Sequence, residues 1–152
     1  MKRTKKRHLL SEEAVWEVVA TFTNCEGRVT YGSGQSAIEA DGDTLLNKSW
    51  VNGPYGKIYN NYRFKKVSEN VYEYESDNVS LGIQVGTFHV VHDCIYSKFK
   101  IKDSMLNGFE LVVRSGSTCH VNGALYDEDR LVNTWSGTMK KIPSVPVIET
   151  LQ

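Results

Sequence analysis

The sequence predicts an all-β protein: an antiparallel up-and-down β-barrel of about eight to ten strands. From Val15 onward, short runs rich in β-branched and aromatic residues are separated at regular intervals by Gly, Asn, Asp and Ser. No long window shows the apolar spacing of a helix. Because the connections are too short for helical crossovers, neighbouring strands must pair antiparallel. Closure removes the exposed edges of so large a sheet, which favours a barrel over the alternative, a sandwich.

The size and charge of the chain limit its organisation and its partners. It has 152 residues, with 18 Lys plus Arg against 18 Asp plus Glu. That length fits one self-sufficient domain, and the balanced charge offers no field to attract nucleic acid or a membrane surface. We assign residues 1–8 to a basic, disordered leader, 9–141 to a single barrel domain and 142–152 to a C-terminal tail.

The basic leader resembles the start of a secretory signal, but only Leu9 and Leu10 follow before the polar Ser11. Such a run is too short for export or for spanning a membrane. We therefore expect a cytoplasmic protein, and three widely separated cysteines fit free thiols in a reducing compartment. A nucleic-acid or localisation patch is the alternative interpretation of the leader.

The predicted elements are one helical turn and ten strands. The turn lies at residues 9–14, with Ser11 placed to cap it. Trp16 begins the first strand and is expected to point inward, because it shares a face with Val18 and Ala20. The strands are predicted at 15–23, 34–40, 44–52, 57–67, 71–76, 81–92, 94–102, 108–115, 119–126 and 130–141.

Polar and glycine-rich segments predict the connections. The Gly-Ser-Gly at 32–34 is interpreted as a strand bend, because no helix follows that could use it to hold a phosphate. Asp-Gly-Asp at 41–43 predicts a tight hairpin turn, and the acidic segment 127–129 forms the tip of the last hairpin. Pro143 and Pro146 end the pairing, because proline cannot donate to a ladder. The middle strands are bounded by turns at 52–56, 68–70, 77–78, 103–107 and 116–117.

These features together resemble the lipocalin-like, or calycin, barrels over residues 9–141. The resemblance is carried by the turn before the first strand, by Trp16, by the unbroken meander and by the closing strand at 131–139. Ala14 stands where the lipocalin Gly-x-Trp signature has its glycine. The resemblance implies a cup that holds a small, mainly apolar molecule, although a barrel of this size can also be filled by its own side chains.

Aromatic and polar strand residues are the candidates for lining such a cup, although aromatics also fill the core of any small β-protein. Glu110 and Arg114 alternate with Phe109, Leu111 and Val113, which most simply places the charges outside. If they instead point inward, Arg114 would anchor a ligand carboxylate, with Glu110 holding it in place. The candidate ligand-binding residues are Trp50, Tyr62, Tyr72, Phe99, Arg114, Tyr126 and Trp135.

His120, His89 and Glu110 are the candidates for proton transfer. His120 is expected near Arg114 across the turn at 116–117, where a sheltered histidine would stay neutral and could act as a base. No phosphate loop, nucleophile elbow or zinc-binding motif is present, so we expect neither a metal nor a cofactor.

Three functions follow from this sequence. The leading one is a calycin-like binding protein that holds a small hydrophobic or amphipathic ligand inside the barrel. The first alternative is a barrel-hosted enzyme, such as an isomerase, cyclase or lyase, that uses His or Glu acid–base chemistry. The second is a filled barrel that acts as an interaction module, including a possible homodimer.

Overall fold

The computed structural model describes residues 8–53, 56–78 and 81–143. The leader up to residue 7 and the tail from residue 144 lie outside the described residues. Within them the chain forms ten strands and one short 3-10 turn, which confirms the all-β prediction. The strands are β1 (Ala14–Asn24), β2 (Val29–Asp41), β3 (Thr44–Gly53), β4 (Gly56–Ser68), β5 (Val71–Asn78), β6 (Gly82–Val91), β7 (Cys94–Ile101), β8 (Leu106–Ser115), β9 (Thr118–Asp127) and β10 (Arg130–Lys141).

The sheet is a closed antiparallel barrel. Each strand pairs with the next along the chain, and β1 also pairs with β10 over nine positions, from Trp16 opposite Lys141 to Asn24 opposite Asn133. Every strand therefore has two neighbours, and the sheet has no exposed edge. The predicted up-and-down closure is confirmed.

Alternation of side chains gives the strands an inner and an outer face. On β1, Trp16 is fully buried and Ala20 is buried, whereas the intervening Val19 is 61% exposed. Inner aromatic residues pack together across neighbouring strands, with ring centroids 4.7 Å apart for Phe64 and Phe88 and 5.1 Å apart for Tyr74 and Phe88. These rings fill one side of the interior.

The 3-10 turn, Leu9–Ser11, packs against one end of the barrel, and both of its leucines are buried in the core. The prediction that Ser11 caps this turn is wrong. His8 is the N-cap, and its Nδ1 accepts a hydrogen bond from the Leu10 amide at 3.2 Å. The Ser11 hydroxyl, at the third position of the turn, donates to the His8 carbonyl oxygen at 2.6 Å. Among the described residues no helix has the length and apolar character needed to cross a bilayer.

Residues 32–34, interpreted as a strand bend, are part of the second strand, which begins at Val29 and not at 34 as predicted. They lie inside β2 and pair with β1 on one side, and Ser33 and Gly34 also pair with β3. At Gly34 an added Cβ would overlap the carbonyl oxygen of Trp50, so the glycine allows the two backbones to approach closely. A glycine-rich strand interior and a bend look alike in sequence, and here close packing decided the outcome.

Candidate functional site

The barrel encloses a cavity of about 400 Å³. Leu9 and Leu10 of the 3-10 turn line it at one end. Towards the other end its lining includes Ile58 and Leu81, which are 41% and 38% exposed. Because these residues belong both to the cavity and to the surface, the cavity opens at the end opposite the turn.

The wall of this cavity is mostly apolar. Aliphatic side chains from β1, β8, β9 and β10 face aromatic side chains from β4, β6 and β7, and a few polar groups lie among them. Such a lining is typical of sites for small organic molecules. The other lining residues are Val18, Ala20, Phe22, Ser36, Ile38, Asn47, Ser49, Val51, Asn60, Tyr62, Phe64, Gln84, Phe88, Phe99, Glu110, Val112, Val121, Leu125, Asn133, Trp135, Gly137 and Met139.

The face of β8 that carries Glu110 and Arg114 points into the barrel. Glu110 lines the cavity, Arg114 is only 6% exposed, and Phe109 on the opposite face is 46% exposed. The simpler expectation, that the charges lie outside, is therefore wrong. Both faces of β8 carry apolar residues, so hydrophobicity could not distinguish the inner face from the outer one. The partners of the two charged side chains are far away in the sequence.

Glu110 is held by an indole from two strands away. Trp135 Nε1 on β10 donates to Glu110 Oε2 at 2.7 Å. The ring reaches β8 by lying over Gly123, which pairs with both Glu110 and Trp135 and where a Cβ would overlap the indole. The hydrogen bond between Trp135 and Glu110 thus depends on the glycine at position 123 of β9, the strand between β8 and β10.

The electrostatics of the cavity follow from its low polarity. Burial raises the pKa of Glu110, and the indole N–H offsets only part of this effect. Burial and then the negative charge of Glu110 raise the pKa of Tyr62 well above its usual range. Burial likewise raises the pKa of Tyr74 to about 12. Both tyrosines therefore stay protonated at neutral pH.

Arg114 lies at the closed end of the barrel and not in the cavity. Its Nη2 pairs with Glu12 Oε2 at 2.5 Å, its Nε donates to the Gly116 carbonyl at 2.8 Å, and its guanidinium lies 5.0 Å from the centre of the Trp16 ring. Lys141 Nζ adds a second pairing to Glu12 at 2.8 Å. Arg114 therefore joins the 3-10 turn region to the strands, and its donors are already engaged.

The remaining candidate residues divide between the interior and the outside. Tyr62, Phe99 and Trp135 line the cavity, whereas Tyr72 packs against the core beside it. Trp50 alternates with the lining residues of β3 and lies under Lys57 Nζ at 4.3 Å, so it faces outward. Tyr126 alternates with the lining residue Leu125 and borders a groove on the outer surface.

Both candidate histidines are exposed on the outside. His89 and His120 alternate with the buried Phe88 and Cys119, so neither reaches the cavity. The expected proximity of His120 to Arg114 is wrong, because adjacent pairing positions on β8 and β9 place them on opposite faces. Of the three candidates for proton transfer, the structure places only Glu110 in the cavity.

Several polar lining residues were missed at the sequence level. Asn47 donates to Ser36 Oγ at 2.6 Å and to the Ala37 carbonyl at 3.2 Å, so its amide is satisfied by β2. Gln84 Nε2 donates to the Tyr74 hydroxyl at 2.9 Å. The alternation of β3 was a usable signal, because Asn47 shares a face with Leu45 and Val51.

Metal binding finds no geometric support in the part of the chain that the structure describes, where no three His, Cys, Asp or Glu side chains come close enough to share an ion. The sequence leads us to expect three free and mostly buried cysteines; all three are free, but Cys25 is exposed and Cys94 is half-buried. Cys119 is fully buried, and burial raises the pKa of its thiol to about 11. It therefore remains a protonated core residue at neutral pH.

Comparison with known proteins supports the architecture. No family model and no curated protein matches the chain. An S-type phycobiliprotein lyase, CPES, from Guillardia theta is similar in structure, with a TM-score of 0.64 and 9% identity over 87% of this chain and 89% of that one. A redesigned beta barrel has a TM-score of 0.46 and 16% identity over 86% and 90% of the two chains. A barrel solved as EF1p2_mFAP2b bound to DFHBI also has a TM-score of 0.46, at 13% identity over 85% and 92%. At these identities the likeness is one of fold, and the lyase supports the β-barrel architecture.

Proposed function

We propose that this protein binds one small, mainly apolar molecule inside the barrel. The observation that carries the proposal is the cavity of about 400 Å³, which is closed by the 3-10 turn at one end and open at the other. Cavities of roughly 300 to 1,000 Å³ with a few placed polar groups are the usual form of small-molecule sites. Binding would remove the apolar wall from water, which is the main source of affinity for such ligands.

The geometry favours binding over the two alternatives. In a filled interaction module, side chains would occupy the interior, whereas the interior of this barrel contains a cavity of about 400 Å³. A proton-transfer enzyme would need converging groups that exchange protons near neutral pH. In the described part of the cavity Glu110 is accompanied only by Tyr62, whose raised pKa keeps it protonated. The enzyme alternative therefore rests on Glu110 alone.

A matched pair of substitutions on β1 tests the proposal. Ala20 is buried and lines the cavity, whereas its neighbour Val19 is 61% exposed on the outer face. Ala20→Phe places a ring in the cavity, and Val19→Phe adds the same ring outside. The probe is N-phenylnaphthylamine, an uncharged molecule whose fluorescence rises in apolar surroundings.

We expect the wild type and Val19→Phe to bind the probe alike and Ala20→Phe to lose binding by about tenfold or more, because the added ring occupies the volume that the probe needs. Circular dichroism checks that both variants keep the sheet. Equal binding by the two variants, or no binding by the wild type, would overturn the proposal. Native mass spectrometry of the purified protein additionally identifies any molecule that co-purifies.

A further inference from the structure

The charge of the cavity is unbalanced. Among the described residues that line it, Glu110 is the one acidic side chain, and there is no lysine, arginine or histidine. The positive charges of Arg114 and Lys141 lie at the closed end and are paired with Glu12. The cavity thus presents a single carboxyl group without a countercharge.

The carboxyl group has room for a further partner. In the described structure only the Trp135 indole donates to it, through Oε2, and an ionised carboxylate can accept several hydrogen bonds. Protein surrounds Glu110, yet the residue keeps part of its accessible surface, and that surface belongs to the cavity lining. A ligand in the cavity can therefore reach the second oxygen.

An ionised carboxylate in apolar surroundings is costly unless it is paired. A ligand that brings a positive charge removes this cost and gains a charge-assisted hydrogen bond, whereas a ligand carboxylate would be repelled. We infer that the cavity takes an amphipathic organic cation: an apolar body, which packs on the aromatic wall, carrying one protonated nitrogen that pairs with Glu110. This inference rests on the proposed function and names its ligand class.

Three probes with the same apolar body and different charge test the inference: naphthylethylamine, naphthylethanol and naphthylacetate, titrated calorimetrically at neutral pH. We expect the amine to bind about tenfold or more tightly than the alcohol, because it gains a hydrogen bond between two charged groups. The acid is expected to bind more weakly than the alcohol. Naphthylacetate binding as tightly as the amine would overturn the inference.

The variant Glu110→Gln keeps the shape of the side chain and an acceptor for Trp135. We expect it to bind the amine no better than the alcohol, with affinity for the alcohol unchanged. Glu17 on β1 lies on the exposed outer face, so Glu17→Gln is the control for loss of one negative charge and should retain the preference for the amine. A preference that survives in Glu110→Gln would contradict the inference.

The pH dependence of the wild type gives a second measurement that needs no variant. Amine binding requires the ionised form of Glu110, so its affinity should fall as the pH drops below the pKa of this group, while affinity for the alcohol stays constant. The titratable groups of the neighbouring elements are Tyr62 on β4, Tyr74 on β5, Cys119 on β9 and Arg114 on β8 itself. The pKa values of the two tyrosines and of Cys119 are raised by burial, so none of these three groups titrates in the acid range.

The three probes separate the two proposals. If the alcohol binds and Ala20→Phe excludes it, but the amine binds no better, the cavity binds ligands and only the inference about charge fails. If neither the alcohol nor the amine binds, both proposals fail. A flat pH profile for the amine would also overturn the inference.

Discussion

Two buried carboxyl groups lie at different levels of this barrel, and they have opposite environments. Glu12, at the closed end, pairs with Arg114 and Lys141, and its side chain is 8% exposed. Burial would raise the pKa of Glu12, but the hydrogen bonds and charges of its two cations outweigh burial and lower it. Glu110, in the cavity, has an indole N–H in place of a cation, and burial raises its pKa.

The difference separates a structural carboxylate from a candidate ligand-binding one. A lowered pKa means that Glu12 contributes stability above its unfolded value, and that this contribution is lost as the pH falls through its folded value. A raised pKa means the reverse for Glu110: its ionisation costs stability as the pH rises. The fold supplies two cations for the Glu12 carboxylate. We propose that a ligand supplies the cation for Glu110.

The largest expected effect comes from removing each charge in turn. Glu12→Gln leaves Arg114, with 5% of its side chain exposed, without its countercharge. It should therefore lower the free energy of unfolding by about 3 kcal/mol. Glu110→Gln keeps an acceptor for the indole and should change it by less than about 1 kcal/mol. Urea denaturation at neutral pH measures both, and equal losses would contradict the distinction.

An intermediate effect is expected at the strand between Glu110 and Trp135. Gly123→Ala forces the indole off β9 and breaks its hydrogen bond, so it should cost about 2 kcal/mol and shift the tryptophan emission. The control is Gly137→Ala on β10, where the nearest atom to an added Cβ, the Val19 carbonyl oxygen, lies at 3.2 Å. If the two substitutions cost the same, the packing of the indole over Gly123 does not hold Glu110 in place.

The smallest effect concerns the cap of the 3-10 turn. His8 Nδ1 must be unprotonated to accept the Leu10 amide, and burial, followed by the charges of Arg114 and Lys66, lowers the pKa of His8 from its usual 6.5. Its contribution is therefore complete above pH 6.5 and is lost as the pH falls through the lower folded value.

At neutral pH, His8→Ala should cost about 1 kcal/mol, whereas His8→Asn keeps a capping oxygen. The difference in unfolding free energy between the wild type and His8→Ala should shrink on acidification, because protonated His8 no longer caps the turn. A difference that stays constant with pH would exclude a role for His8 titration.

Much of the fold could be predicted because its signals are local. The Asp-Gly-Asp at 41–43 lies at the turn between β2 and β3, and the last strand has the bounds that its sequence predicts. Trp16 points inward, as predicted from the strand face that it shares with Val18 and Ala20. The second strand was predicted too short, because glycines at 32 and 34 weaken a strand pattern unless a neighbouring backbone packs against them.

The candidate site was predicted only in part because its contacts are distant in sequence. Tyr62, Phe99 and Trp135 line the cavity, but Trp50 and Tyr126 lie on the outer face. Aromatic side chains lie on both the inner and the outer face of this barrel, so residue type alone did not give their direction.

By itself the sequence determined an antiparallel meander of about eight to ten strands and favoured its closure, since period-two alternation and turn residues act between neighbours along the chain. Only the tertiary structure decided what the two charges of β8 do. Arg114 meets Glu12 across 102 residues of sequence and Glu110 meets Trp135 across 25. Whether a charge is neutralised depends on residues that are far away in the sequence, and no local pattern carries that information.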